Sequence, residues 1–164
     1  MEQHADDIVF KPIGIVHSPH AAPAGTPVQP AAARDITATV TVFPQFVGGL
    51  KDLDGFSHIY LLCHFHKAGP FRLTVTPFLD STPRGLFATR APARPNPIGL
   101  SIVRLDRIED NVLHTRDVDI LDGTPVLDIK PYVPEFDRRG QVRCGWLENK
   151  LDRLPGARDD GRFE

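Results

Sequence analysis

Cysteine is scarce in this sequence: Cys63 and Cys144 are the only two among 164 residues, and they lie far apart. Such a pair excludes both a disulfide framework and a four-cysteine zinc site, and it is typical of a reducing cytoplasm. Long apolar runs are also missing, since no segment approaches the roughly 18 consecutive apolar residues of a membrane-spanning helix. The acidic, polar start does not fit a signal peptide. We therefore expect a cytoplasmic protein that does not interact with membranes.

Neither sign of charge dominates, because 19 basic and 21 acidic residues give a net charge of −2. No overall basic field would attract nucleic acid, so any RNA binding must depend on a local patch. The sequence also lacks a P-loop, a glycine-rich dinucleotide fingerprint and a GxSxG nucleophile elbow. Nucleoside triphosphate and serine hydrolase chemistry are therefore not expected.

The sequence is rich in β-like segments, which 16 prolines and 13 glycines interrupt throughout. Residues 36–43 alternate apolar residues with three threonines, as a half-buried strand does. We count roughly eight short strands and no helix longer than about two turns. The clearest predicted strands cover residues 8–17, 36–43, 56–66, 71–77, 98–108, 112–118 and 126–132. This spacing predicts an all-β, mainly antiparallel fold, a single compact β-barrel with short helical turns.

The end of the chain differs from the rest in composition. We predict a barrel domain over residues 1–136 and a charged C-terminal extension over residues 137–164. Apolar residues such as Trp146 and Leu151 would dock one or two helical turns of the extension on the barrel or on a partner chain. Residues 158–164 are predicted to be frayed.

A stiff loop precedes the strand at residue 98. Three prolines fall within residues 92–97, and each fixes its own φ and restricts the residue before it. Arg90, Arg94 and Asn96 lie in or beside this loop. Two guanidiniums and an amide on a rigid loop suit an anionic or polar ligand, because little side-chain freedom is lost on binding. A proline-rich surface loop with solvated arginines is the alternative.

Two histidines could begin a metal site. His64 and His66 are two residues apart on a predicted strand and would face the same side. A zinc site usually needs at least three protein ligands, and His58 would lie about 20 Å away along the strand. No third ligand can be named, so we predict no metal, and a metal-dependent barrel enzyme remains the alternative.

Acidic residues recur near the last predicted strand. Asp122-Gly-Thr-Pro125 is typical of a tight turn, whose free backbone groups and carboxylate could instead hold a nucleoside or an amine. Asp128 and Lys130 alternate with apolar residues, either as a solvated ion pair or as the lining of a cleft. Tyr132 could stack on a base.

Six motifs, taken together and in order, resemble the TrmO (TsaA-like) methyltransferase family from about Ile8 to Phe136. These motifs are Pro12–Pro19, Leu53–Tyr60, Phe65–His66, Gly85–Arg90, Arg94–Ser101 and Asp122–Tyr132. The resemblance implies a β-barrel that acts as a homodimer, with S-adenosylmethionine bound near the subunit interface. It also implies methylation of the exocyclic nitrogen of threonylcarbamoyladenosine beside the anticodon of tRNA.

Motif by motif, the resemblance assigns cofactor contacts to three segments and two single residues. They are Pro27, Val28 and Gln29; His66 and Lys67; Arg90; Leu100; and Asp122, Gly123, Thr124 and Pro125. Two departures are visible: Val28 stands where the family usually has arginine, and Ala91-Pro92-Ala93 lacks the usual serine and aromatic residue.

Four residues are candidates for substrate binding, namely Arg94, Asn96, Lys130 and Tyr132. The amide-like acceptor nitrogen is a poor nucleophile, so removal of its proton should help the reaction. Candidates for that step are Asp122, Asp128 and Tyr132, with His66 as a further aid. The alternatives are a barrel that binds S-adenosylmethionine or a nucleoside without turnover, and a methyltransferase for another small or RNA substrate.

Overall fold

The computed structural model describes residues 7–163 and has a closed barrel at its centre. Six antiparallel strands follow one another around the barrel in the order β1-β2-β7-β6-β3-β8, and β8 pairs back onto β1. The strands are β1 (Gly14–His17), β2 (Thr37–Val42), β3 (His58–His64), β4 (Thr74–Val75), β5 (Arg84–Gly85), β6 (Ile98–Glu109), β7 (Val112–Arg116) and β8 (Pro125–Pro131). The predicted all-β barrel is confirmed.

Helical structure is limited to short turns, as predicted. One α-helical turn, α1, covers Pro134–Asp137. The 3₁₀ turns are Pro30–Ala32, Pro44–Leu50, Leu53–Gly55, Leu86–Ala88, Gly145–Leu147 and Leu151–Gly156. Within residues 7–163, none of the helices has the length and apolar character to cross a bilayer.

Strand alternation fills the barrel. Ala38, Val40 and Val42 of β2 point inward and are buried, while the threonines between them face outward. The inward residues of the other strands complete one apolar core, which includes Val16, Ile59, Leu61, Cys63, Val103, Leu105, Leu113 and Val126.

Strand β3 pairs with β6 on one side and with β8 on the other. Leu62 lies opposite Leu100 on β6 and opposite Asp128 on β8. These three side chains therefore share the outer face of the barrel, because neighbours in register point to the same side of a sheet.

Two predicted strands are much shorter in the structure. Of residues 8–17, only Gly14–His17 joins the barrel, and residues 8–13 run irregularly. Of residues 71–77, only β4 is paired, and its partner is β5 in a separate two-stranded ribbon. Pro12 lies within the first region and Pro77 ends the second. Proline has no backbone N–H, so it interrupts the ladder of hydrogen bonds between strands.

The predicted fraying after residue 158 is wrong for the residues that the structure describes. The N–H of Gly25 donates to the carbonyl of Asp159, and the N–H of Asp159 donates to the carbonyl of Thr26, at 2.7 and 2.8 Å. Phe163 packs edge-on against Phe78, with ring centroids 5.1 Å apart. We call residues 145–163 the C-terminal strap. Residues 1–6 and 164, the first of the predicted barrel domain and the last of the predicted frayed end, lie outside the described part.

Candidate functional site

The stiff loop before β6 spans residues 86–97, and we call it the arginine loop; Arg94 holds it from within. Nη1 of Arg94 donates to the carbonyls of Leu86, Thr89 and Ala91 at 3.4, 3.0 and 3.3 Å. The guanidinium also lies over the ring of Phe87, 5.7 Å from its centroid. Arg94 therefore uses part of its guanidinium to stiffen the loop. Its predicted role in substrate binding stays a prediction.

Arg90, by contrast, reaches out of the loop. Its Nη1 donates to Oε1 of Gln29 at 2.9 Å, which joins the loop to the 27–29 segment. Pro27 of that segment is buried and forms an isolated antiparallel bridge with Arg158 of the C-terminal strap. Arg90 and the 27–29 segment, both assigned to the cofactor by the resemblance, are therefore in contact. The C-terminal strap supports the 27–29 segment. The half-buried Val28 supplies no charge at this point.

The Asp122 turn uses its backbone donors internally. The N–H groups of Asp122, Gly123 and Thr124 donate to the carbonyls of His20, Val16 and Leu121 at 2.8, 2.8 and 3.3 Å. The N–H groups of this turn are therefore already bonded within the chain, and the part of the turn in cofactor binding stays a prediction. Gly123 has φ of +76°, which favours glycine.

The carboxylate of Asp122 stays exposed. Its Oδ1 accepts the N–H of Ser18 at 3.1 Å and lies 3.8 Å from Nδ1 of His17. The side chain is 53% exposed, so it can still accept a hydrogen bond or attract a cation. The carboxylate of Asp122 is therefore a group of this turn that remains available to a ligand.

Asp119 lies between the turn and the arginine loop, and sequence reasoning missed it. Its Oδ1 accepts the hydroxyl of Ser101 at 2.7 Å. Burial raises the pKa of Asp119 to about 6, against the opposing effects of the Ser101 hydrogen bond and of Arg90. Burial, with a smaller contribution from Asp119, likewise raises the pKa of Cys63 to about 12. Asp119 thus lies at one end of the barrel, near β3, β6 and the arginine loop.

The sequence gives no local signal for Asp119. The residue stands between Val118 and Ile120, which are both buried, and Asp117 precedes it by two positions. Such an alternation of acidic and apolar residues predicts a solvated position on the polar face of an extended segment.

His66 and Lys67 form a turn after β3 rather than part of the strand. The N–H of His66 donates to the carbonyl of His64 at 2.8 Å, so His66 lies outside the strand that was predicted to carry both histidines. Nζ of Lys67 donates to the carbonyl of Ala21 at 2.8 Å, next to the His20 carbonyl that binds the Asp122 turn. Burial and the nearby Lys67 lower the pKa of His66. Among residues 7–163 there is no group of three His, Cys, Asp or Glu residues that could hold a metal ion.

The remaining predicted residues lie on the outer face of the barrel or on its rim. Leu100 is 52% exposed on β6, and Asp128 forms an ion pair with Lys130 at 2.8 Å. Tyr132 packs edge-on against Tyr60, with centroids 5.8 Å apart. Asn96 is exposed, and its carbonyl accepts the N–H of Ile98.

The candidate residues thus form two groups. The mouth group comprises Gln29, Lys67, Arg90, Asp119 and Asp122. Arg90 binds Gln29 and acts on the charge of Asp119, while Lys67 and the N–H of Asp122 bind the neighbouring carbonyls of residues 21 and 20. The outer-face group comprises Leu100, Asp128, Lys130 and Tyr132.

An open cleft of about 510 Å³ lies on the β2–β7 side and touches Asp122 but not Arg90. Its cations are already paired: Arg116 binds Asp106, and Arg107 and His114 bind Glu109. A ligand in this cleft would have to compete with these ion pairs. We therefore place the candidate site at the mouth group.

Comparison with known proteins identifies relatives over most of the chain. Residues 15–138 match the family model described as "tRNA-methyltransferase O N-terminal domain". A "probable S-adenosyl-L-methionine-binding protein" of Pyrococcus abyssi is 60% identical over 156 residues, 95% of this chain and 85% of the relative. The "tRNA (adenine(37)-N6)-methyltransferase" of Mus musculus is 37% identical over 81% of this chain, but the match spans only 32% of that enzyme.

The solved structures give the same result. The crystal structure of TrmO from Pseudomonas aeruginosa superposes with a TM-score of 0.72 at 39% identity. The match covers 86% of this chain and 63% of that chain, so the relative is the longer protein.

Proposed function

Since this chain belongs to the tRNA-methyltransferase O family of S-adenosylmethionine-dependent methyltransferases, we propose that it methylates the exocyclic nitrogen of threonylcarbamoyladenosine beside the anticodon of tRNA. The observation that carries the proposal is the mouth group, which brings a guanidinium and two carboxylates to one end of the barrel. We further propose a cytoplasmic location, which the free thiols of Cys63 and Cys144 support.

The residues of the mouth group fit S-adenosylmethionine, which carries an ammonium, a carboxylate and a ribose, and supplies a methyl group activated on sulfur. Arg90 uses Nη1 for Gln29 and keeps further donors for a carboxylate. Asp122 keeps an exposed oxygen for an ammonium or a hydroxyl group. Because the loops are already tied together by Arg94 and Lys67, little conformational freedom is lost when the ligand binds.

We propose that a second copy of the chain completes the site. Ile98, Leu100 and Ile102 are 41, 52 and 37% exposed along the outer face of β6, and Leu62 of β3 lies beside Leu100. A contiguous apolar stripe of this kind suits a protein–protein contact. Its overlap with Leu100, assigned to the cofactor by resemblance, supports a cofactor close to the subunit boundary.

Methyl transfer tests the function directly. The protein is incubated with S-adenosylmethionine labelled on the methyl group and with tRNA that carries the threonylcarbamoyl group. We expect label in the tRNA, and nuclease digestion with mass spectrometry should place it on the exocyclic nitrogen. The matched control is the same tRNA made without the threonylcarbamoyl group, which should remain unlabelled.

Other outcomes separate the alternatives. Binding of S-adenosylmethionine in calorimetry without transfer to either tRNA would indicate a sensor. Equal transfer to both tRNAs would indicate a methyltransferase with a different acceptor. For the dimer, light scattering after size-exclusion chromatography should give twice the mass of the 18.2 kDa chain, and Ile102→Arg should return it to a monomer. A monomeric wild type would contradict the dimer.

A further inference from the structure

Asp119 combines an unusual environment with a central position. It is partly buried at the end of the barrel, and Ser101, a neutral hydroxyl, is its one side-chain donor in the part of the chain that the structure describes. Arg90, a residue assigned to the cofactor, is close enough to act on its charge. A partly buried carboxylate that no direct ion pair neutralises is costly to keep ionised, so its presence calls for a reason.

The other acids of the candidate site differ from Asp119 in their partners and exposure. Asp128 on the outer face is bound by Lys130 at 2.8 Å, so its carboxylate already has a cationic partner. Asp122 receives the N–H of Ser18 and lies beside His17 in an exposed position. Of the three, Asp119 is therefore the carboxylate best suited to take up a proton.

We propose that Asp119 is the catalytic base of the methyl transfer, an inference that rests on the function proposed above. The acceptor nitrogen forms a bond to the methyl carbon while the carbon–sulfur bond breaks and its electron pair returns to sulfur. The proton of that nitrogen moves to a carboxylate oxygen of Asp119, which leaves a neutral N-methyl product and a thioether. Ser101 holds the carboxylate in place through Oδ1.

The pKa of Asp119 suits this role. At about 6 it leaves the group ionised at neutral pH yet more basic than an ordinary aspartate. Arg90 from the loop acts on the charge of Asp119, and Asp119 in turn helps to raise the pKa of Cys63 on β3. His20 contacts the adjacent carbonyl of Val118. Loss of the Ser101 hydroxyl should raise the pKa of Asp119 further, because that hydrogen bond favours the ionised form.

Single-turnover methyl transfer between pH 5 and 8 tests the proposal. For wild type we expect a rate that rises with pH around a midpoint near 6, the pKa of Asp119. Asp119→Asn should lower the rate at pH 7.5 by about 100-fold or more and remove the dependence on pH, while S-adenosylmethionine binds within about threefold of wild type. Ser101→Ala should keep much of the rate at high pH and move the midpoint upward.

Asp110→Asn is the matched control, because Asp110 is an exposed turn residue with φ of +53°, a conformation that asparagine tolerates. A methyl-transfer rate of Asp119→Asn within threefold of wild type would overturn the proposal that Asp119 is the base. A tenfold loss of cofactor affinity in that variant would also overturn it, as would an unchanged midpoint of the pH profile in Ser101→Ala. If wild type labels no tRNA at all, the proposed function itself fails.

Discussion

Nη1 of Arg90 donates to Oε1 of Gln29 at 2.9 Å, although 61 positions separate the two residues in the chain. The contact aims the guanidinium and joins a proline-stiffened loop to a segment that the C-terminal strap supports. A charged side chain that is oriented before its ligand arrives loses less entropy on binding than a free one.

Arg90→Ala should therefore weaken S-adenosylmethionine binding by roughly 10- to 100-fold, since a hydrogen bond to a charged group contributes about 1.5–3 kcal/mol. Gln29→Ala should weaken it by roughly three- to tenfold, because the arginine remains but loses its orientation.

Asp122→Ala should weaken S-adenosylmethionine binding as well. Calorimetric titration gives the affinities, and circular dichroism checks the fold. Arg34→Ala, at an exposed arginine, is the control; unchanged affinity in both Arg90→Ala and Asp122→Ala would rule out this site.

Gly99 makes room for Phe65 at the barrel mouth. A Cβ at residue 99 would overlap the tip of the Phe65 ring, at 2.5 Å from Cε1. We expect Gly99→Ala to lower the free energy of unfolding by roughly 1–3 kcal/mol, as overpacking does, and to weaken cofactor binding because His66 and Lys67 follow Phe65 directly. Chemical denaturation and calorimetry measure the two effects.

The control for this substitution is Gly49→Ala, since no atom lies within 4 Å of the position that a methyl group would take there and φ is not positive. Adding Phe65→Leu to Gly99→Ala should restore part of the stability, because the shorter side chain removes the overlap. A double variant less stable than either single variant would contradict this explanation.

Trp146 fastens the C-terminal strap to the arginine loop. Its Nε1 donates to the carbonyl of Ala88 at 2.9 Å, and its ring lies under Arg84 and Lys150. Trp146→Ala should lower the free energy of unfolding by roughly 1–3 kcal/mol, less than a fully buried tryptophan would, because the ring is only half-buried.

Hydrogen exchange should locate the effect of Trp146→Ala. The amides of residues 145–163 should exchange faster, and those of residues 25–29 should follow because they pair with the strap. Leu151→Ala, at a 44% exposed position of the same strap, should change exchange little. Faster exchange confined to residues 145–149 would show that the strap is not one cooperative unit.

The raised pKa of Asp119 also has a consequence for stability. The folded protein holds this proton more tightly than the unfolded chain does, so the free energy of unfolding should fall as pH rises from about 4 to above 6. At pH 8 the ionised group costs on the order of 3 kcal/mol. Asp119→Asn should therefore raise Tm relative to wild type at pH 8 and much less at pH 4.5. An equal shift at both pH values would contradict a buried, ionised carboxylate.

Where pairing is local and alternation is regular, the sequence was sufficient to predict the strands. The β6–β7 hairpin is an example, because Asp110 and Asn111 form its turn and Asp110 adopts the positive φ that such residues tolerate. The prediction over residues 71–77 was too long, since its extended residues find a partner only in the two residues of β5. Short apolar runs do not reveal which of them will obtain a partner.

The contacts that build the site were beyond local pattern. The bridge between Pro27 and Arg158 and the bond between Arg90 and Gln29 join residues from distant parts of the chain, so composition alone suggested a frayed end. Asp119 escaped notice because its importance comes from Ser101 and Arg90, which only the closed barrel brings near it.

Every strand of the six-stranded barrel has a hydrogen-bonded neighbour on both sides. A second copy therefore cannot associate by extending this sheet, and association through the barrel wall would depend on side chains projecting from its outer face. Association of that kind can be abolished by exchanging a few surface side chains while each barrel stays intact. Stable single subunits could then show how much of the chemistry each one performs alone.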